Sequence, residues 1–121
     1  MADQGADVTK VERLGVGDVS RRSGPYPGDI PHAEKSGLFL HLNTSKRSVT
    51  MDLASAAGRN IALQLAEDAD IVVESFRPGT MESFGLDYQS LKATNPNLVM
   101  TSISNFGQTG PYLGYRGADI V

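Results

Sequence analysis

Apolar residues recur along this chain in two rhythms, a period of two and a period of three to four, and the two take turns. The first six residues, Met1-Ala2-Asp3-Gln4-Gly5-Ala6, read as the tail of a helix stopped by Gly5. Val8, Lys10 and Glu12 then alternate with Thr9, Val11 and Arg13, which predicts a strand over residues 8–13. Leu38, Phe39, Leu40 and Leu42 form the next apolar patch. A polar turn with two cations follows it, Asn43-Thr44-Ser45-Lys46-Arg47-Ser48. Val49, Met51 and Leu53 alternate with Ser48, Thr50 and Asp52, the pattern of a half-buried strand. From Ser55 the spacing changes: Ile61, Ala62, Leu65 and Ala66 share one helical face, with Asp52 or Ser55 able to cap the start. Ile71, Val72 and Val73 form a run without alternation, which predicts a strand buried on both faces. Pro78-Gly79 ends it. A short helix over residues 80–84 stops at Gly85, Asp87 caps another over 88–94, and Asn95-Pro96 terminates that one. Residues 98–103 are the last predicted strand.

The order β-α-β-α-β, with connections long enough for right-handed crossovers, implies parallel strands near 49–53, 71–74 and 98–103. The fold class is therefore α/β, a Rossmann-like parallel open sheet with helices on both faces. Residues 14–37 read as one long loop, and the tail beyond residue 104 as a glycine-rich one. Gly15-Val16-Gly17-Asp18-Val19-Ser20 resembles a dinucleotide fingerprint only superficially. Ser20 stands where the third glycine belongs, and no helix pattern follows to present its N-terminus to a phosphate.

Ser75, Phe76 and Arg77 fall at the carboxyl end of the apolar strand, where open α/β sheets bind ligands. A flat ring beside a planar cation suits a nucleotide-like molecule; the plainer alternative is a packed Phe beside a surface Arg. Arg13, Lys46-Arg47, Arg77 and Arg116 also lie near strand ends and are expected to converge on one edge and hold a polyanion. Taken singly, each could equally be a solvated charge.

Composition narrows the chemistry. The 121 residues suffice for one compact domain, and a net charge of −3 gives no general attraction to nucleic acid or to anionic membranes. There is no cysteine, which excludes disulfides, thiolate metal sites and thiol nucleophiles. No apolar run approaches the ~20 residues of a membrane span, and no basic-then-apolar leader opens the chain, so a cytoplasmic location is expected. Asn43-Thr44-Ser45 fits a glycosylation sequon that such a location leaves idle. His32 and His41 have no partner at ligand spacing, so no metal site is expected. Neither a Gly-Lys-Ser/Thr phosphate loop nor a Gly-x-Ser-x-Gly elbow occurs.

Five segments carry a resemblance. Gly5-Ala6-Asp7-Val8-Thr9-Lys10-Val11-Glu12 resembles the "GADVIKVE" opening of the family III CoA-transferases, the CaiB/BaiF group. Asn43-Thr44-Ser45-Lys46-Arg47-Ser48-Val49 resembles their "N-x-x-KRS" turn. Val73-Glu74-Ser75-Phe76-Arg77-Pro78-Gly79 resembles "VENFRPG", with Ser75 in place of Asn. Gly85-Leu86-Asp87-Tyr88 with Asn95-Pro96 resembles "GL-x-Y…NP", and residues 102–112 resemble "SISGFGQ-x-GPY". The segments run in order through the whole chain.

The resemblance implies a partial CoA-binding, Rossmann-like domain over residues 1–121, a piece of the large domain of proteins that form interlocked homodimers. It implies that coenzyme A enters as a thioester substrate, with no separate cofactor, and that an acyl-CoA and a carboxylate acceptor are the partners. By position, the CoA contacts fall on Arg13, on Leu42, Asn43, Thr44 and Ser45, on Ser75, Phe76 and Arg77, and on Arg116. Ser83 replaces a further cation found in some members. The family's nucleophile is an aspartate that forms a mixed anhydride, and it lies beyond the Gly-Pro-Tyr motif. Asp119 aligns with a different acidic position, so no catalytic residue is assigned and the chain is expected to be a fragment. The alternatives are a non-catalytic truncated remnant and part of a 2-methylacyl-CoA racemase.

Overall fold

The computed structural model describes residues 1–115 and 117. They form two compact units, Met1–Asp52 and Leu53–Val121. In the first, a 3-10 turn (Ala2–Gln4) ends at Gly5 in the left-handed conformation and leads into β1 (Val8–Arg13). Helix α1 (Gly37–Asn43) and strand β2 (Lys46–Met51) complete the unit. β1 and β2 pair in parallel, Val8 opposite Lys46 and Arg13 opposite Met51.

Two sequence expectations change here. The apolar patch at residues 38–42 is a helix, started by the Ser36 hydroxyl accepting from the Phe39 amide. β2 begins at Lys46, so Lys46 and Arg47 belong to a strand, and the turn shrinks to Thr44 and Ser45. The reason is local: Ser45 takes a left-handed φ of 62°, which ends the helix and starts the strand in one residue. The long loop over residues 14–37 contains two 3-10 turns, Val19–Arg22 and Pro27–Asp29.

The second unit holds α2 (Ala56–Glu67), β3 (Ile71–Glu74), α3 (Thr80–Phe84), α4 (Tyr88–Thr94) and β4 (Val99–Ser102). Ser55 caps α2 by accepting from the Gly58 amide, and Asp87 caps α4 by accepting from Gln89 and Ser90. Gly85 ends α3 in the left-handed region. β3 and β4 pair in parallel, Ile71 opposite Val99. The core is Ala66, Leu86, Leu91 and Leu98, with Val72 and Met100 packed on it from the sheet.

That core lies on one side of the β3–β4 pair. The expectation of a strand buried on both faces is therefore corrected: Ile71 is 46% and Val73 52% exposed, while Val72 and Glu74 point inward. Alternation in exposure is present in the structure although the sequence run is uniformly apolar, because the helices cover only one face. The described hydrogen bonding runs as two parallel pairs.

Candidate functional site

β3 ends at Glu74, so Ser75, Phe76 and Arg77 do leave the carboxyl end of a parallel strand. The Glu74 carboxylate turns back and accepts from the Phe76 amide at 2.7 Å, which bends the chain out of the ladder. Phe76 is half exposed and braced edge-on by Phe84 of α3, with ring centres 6.0 Å apart. Its ring is thus held in place with part of its surface open. Arg77 is exposed, and among the described residues its guanidinium forms no ion pair.

In the first unit, Arg13 ends β1, beside a shallow depression of about 240 Å³ that it lines with Leu14 and Asp52. It too forms no ion pair among the described residues. Four other cations have partners. Arg47 pairs with Asp7, both side chains exposed. Lys46 Nζ donates to the Leu42 carbonyl at 2.8 Å. Lys10 pairs with Asp18 at 2.5 Å and donates to Asn43 Oδ1 at 2.8 Å. Arg21 embraces Glu12 through Nε at 2.8 Å and Nη2 at 3.0 Å, and reaches Glu34 through Nη1 at 2.9 Å.

The register of β1 and β2 corrects the expected convergence. Arg13 sits at the carboxyl end of the ladder, while Lys46 and Arg47 sit at its amino end, opposite Val8 and Thr9. Five strand steps separate the Lys46 and Met51 levels, about 17 Å at the usual rise per residue. A parallel crossover must return the chain to the starting edge, so cations before and after it cannot share an end. Arg116 lies outside the described residues.

The turn at residues 42–45 is built by side chains that satisfy the last carbonyls of α1. Asn43 Nδ2 donates to Phe39 O at 2.9 Å and Thr44 Oγ1 to Leu40 O at 2.8 Å. With the Lys46 bond to Leu42, two of the last four carbonyls of the helix, those of Leu40 and Leu42, are met by side chains. Asn43 is thereby engaged at both ends of its amide, which leaves the backbone of the turn as its more open face.

The residues that sequence reading missed are Lys10, Glu12 and Arg21. Glu12 is buried, its side chain 1% exposed, and accepts from Arg21, from the Ser48 hydroxyl at 2.8 Å and from the Asp18 amide at 2.9 Å. These contacts, Arg21 first, hold its carboxyl at about 2 against the opposing effect of burial. Gly17 makes room for the pair: a Cβ there would lie 2.9 Å from Arg21 Cδ and 3.0 Å from Glu12 Oε2. The available signal was two opposite charges, Lys10 and Glu12, on one strand face, followed by glycine, Asp18 and Arg21.

Comparison with known proteins settles the lineage. A profile of CoA-transferase family III matches residues 1–121. The chain belongs to CoA-transferase family III. It is 41% identical to the succinate–glutarate CoA-transferase of Agrobacterium fabrum, over all of this chain and 31% of that one. It is 39% identical to the acetyl-CoA:oxalate CoA-transferase of Acetobacter aceti, again over all of this chain and 30% of that one. Among solved structures, a CaiB/BaiF family protein from Brucella suis superposes with a TM-score of 0.84 at 42% identity, covering 97% of this chain and 31% of that one. The chain thus spans less than a third of the length of these family III relatives. Among the described residues, no helix is long and apolar enough to cross a membrane.

Proposed function

We propose that this chain is the CoA-binding portion of an acyl-CoA:carboxylate CoA-transferase. The observation that carries the reading is the division of the cations. Lys10, Arg21 and Arg47 are neutralised by carboxylates, whereas Arg13 and Arg77 form no ion pair among the described residues and, unlike Arg22, Lys35 and Arg59, stand at the carboxyl end of a parallel strand. Arg77 also stands next to the braced Phe76 ring, which offers an aromatic face to a purine. The turn at residues 42–45 lies at the other end of its ladder from Arg13, so contacts at both places require an extended ligand. Coenzyme A, with its phosphates at one end and a long pantetheine arm, has that shape.

Transfer would proceed on an aspartate outside the assigned residues. Its carboxylate attacks the thioester carbon, the C–S bond breaks, and CoA leaves as a thiolate, giving a mixed anhydride between enzyme and acyl group. The thiolate then attacks the enzyme's carbonyl of that anhydride and releases the first carboxylate. The acceptor carboxylate repeats the sequence in reverse. The residues of this chain contribute binding and orientation, so that the thioester is presented at attacking distance.

Calorimetric titration of the chain with CoA tests the reading. Binding should weaken as salt is added, because the contacts are ionic. Loss of a charged hydrogen bond is worth about 1.5–3 kcal/mol, so Arg77→Ala should weaken binding by roughly tenfold or more. Thioester exchange between acetyl-CoA and a panel of carboxylates should be absent with these residues alone. Affinity that is indifferent to Arg77 and to salt would refute the assignment.

A further inference from the structure

Helix α1 has seven residues and none of them is buried. A helix that short is unstable on its own, and no buried apolar face secures this one. Two cations reach it from outside. The Arg21 guanidinium lies 3.7 Å from the centre of the Phe39 ring, and Lys10 Nζ lies 5.4 Å from it. Lys10 goes further along the helix and donates to Asn43 Oδ1, the side chain whose other end caps Phe39 O. The ammonium is itself fixed by Asp18, whose amide is in turn held by Glu12. The chain of contacts therefore runs from a buried carboxylate in β1 to the last turn of α1.

We propose that Lys10 is a positioning residue for the turn at residues 42–45. It makes no contact with the ligand. Its paired ammonium fixes the Asn43 amide, and through it the helix end and the left-handed Ser45 that follows. A lysine fits this task because it needs three directions at once: a carboxylate, an amide oxygen and a ring face. Its charge is already balanced by Asp18, which distinguishes it from Arg13 and Arg77. The ligand part of this inference rests on the CoA reading above; the bracing part does not.

The test compares the 121-residue chain with its Lys10→Met and Lys10→Arg variants by peptide-resolved hydrogen exchange and by CoA titration at several salt concentrations. Lys10→Met should speed exchange of the α1 amides by about tenfold or more, with the β3–β4 peptides unchanged. It should weaken CoA binding by a similar factor while the salt dependence of that binding stays as in the wild type. Lys10→Arg, which can still reach a carboxylate and an amide oxygen, should recover most of both losses. If Lys10→Met unfolds the chain, exchange rises in every peptide, and Asp18→Asn, which releases the same ammonium, takes its place with the same expected result. Unchanged α1 exchange would overturn the proposal. So would weaker binding with a flatter salt dependence, since that marks a direct phosphate contact. A wild-type chain that binds no CoA would overturn the proposed function instead, and the exchange result alone would then decide whether Lys10 holds the turn.

Discussion

Glu12 shows how a single residue can carry a measurable share of stability. Its carboxyl sits at about 2 in the folded chain against an ordinary 4.5, chiefly through the Arg21 hydrogen bonds. A carboxyl depressed on folding stabilises the fold above its unfolded value, and that stabilisation is lost as pH falls through the folded one. The window therefore runs from about 4.5 down to about 2, and for a buried group the loss is on the order of 3 kcal/mol. Asp18 moves the same way, from 3.8 to about 2: burial is the largest single influence and pushes it up, but Lys10 and Ser20 together outweigh it. Urea midpoints measured between pH 6 and pH 2 should fall across this window. Glu12→Gln should start lower, by about 3 kcal/mol, because Arg21 then loses its buried partner. It should also show a shallower acid slope; a variant with the wild-type slope would count against the assignment. The charges of Lys10, Glu12 and Arg21 are plain in the sequence, but which of them turn inward is not. Period two says only that Lys10 and Glu12 share a face, and the face is chosen by what packs against it.

At the scale of elements, the joints between them are made by side chains near the caps. Asn95, at the end of α4, donates to the Ala66 and Ala69 carbonyls at 3.1 and 2.9 Å, and its Oδ1 accepts from the Asn97 amide at 3.1 Å. One amide thus closes the end of α2 and the entry to β4. Asn95→Ala leaves the Ala66 carbonyl of α2 and the Ala69 carbonyl just beyond it without this donor, and should lower stability by about 1–2 kcal/mol. Chemical denaturation would read this as a lower midpoint at an unchanged slope. The Asn95-Pro96 stop was legible as a helix end, whereas its bonds to α2 were not, because they join residues nearly thirty positions apart. The helix at residues 37–43 escaped detection for a related reason. Its apolar residues are crowded at 38, 39, 40 and 42 with no buried face to set a period, and beyond its own Ser36 cap it is held by Lys10 and Arg21 from elsewhere in the chain.

For the molecule as a whole, the two parallel pairs are narrow, and two-stranded pairs are marginal in water. Ile71, Val73, Val99 and Ile103 are all more than 40% exposed, and the first three lie on one face by register. Unpaired edges next to such a face favour association. The 121-residue chain expressed alone should therefore self-associate, seen as a concentration-dependent shift in size-exclusion elution; a sharp monomer with strong amide protection throughout would contradict this. The order of strands and helices from β2 onward, the cap at Asp87, the stops at Gly85 and Asn95, and the strand-end place of residues 75–77 were determined by the sequence alone. Each depends on neighbours within a few residues, where backbone propensity and capping chemistry act. The tertiary structure alone decided the face on which each strand is buried, and it placed Arg13 and Lys46 at opposite ends of their ladder. It also selected which cations carry a carboxylate partner. Those outcomes depend on register and on contacts between distant segments, and neither composition nor periodicity records where a crossover sets the chain down.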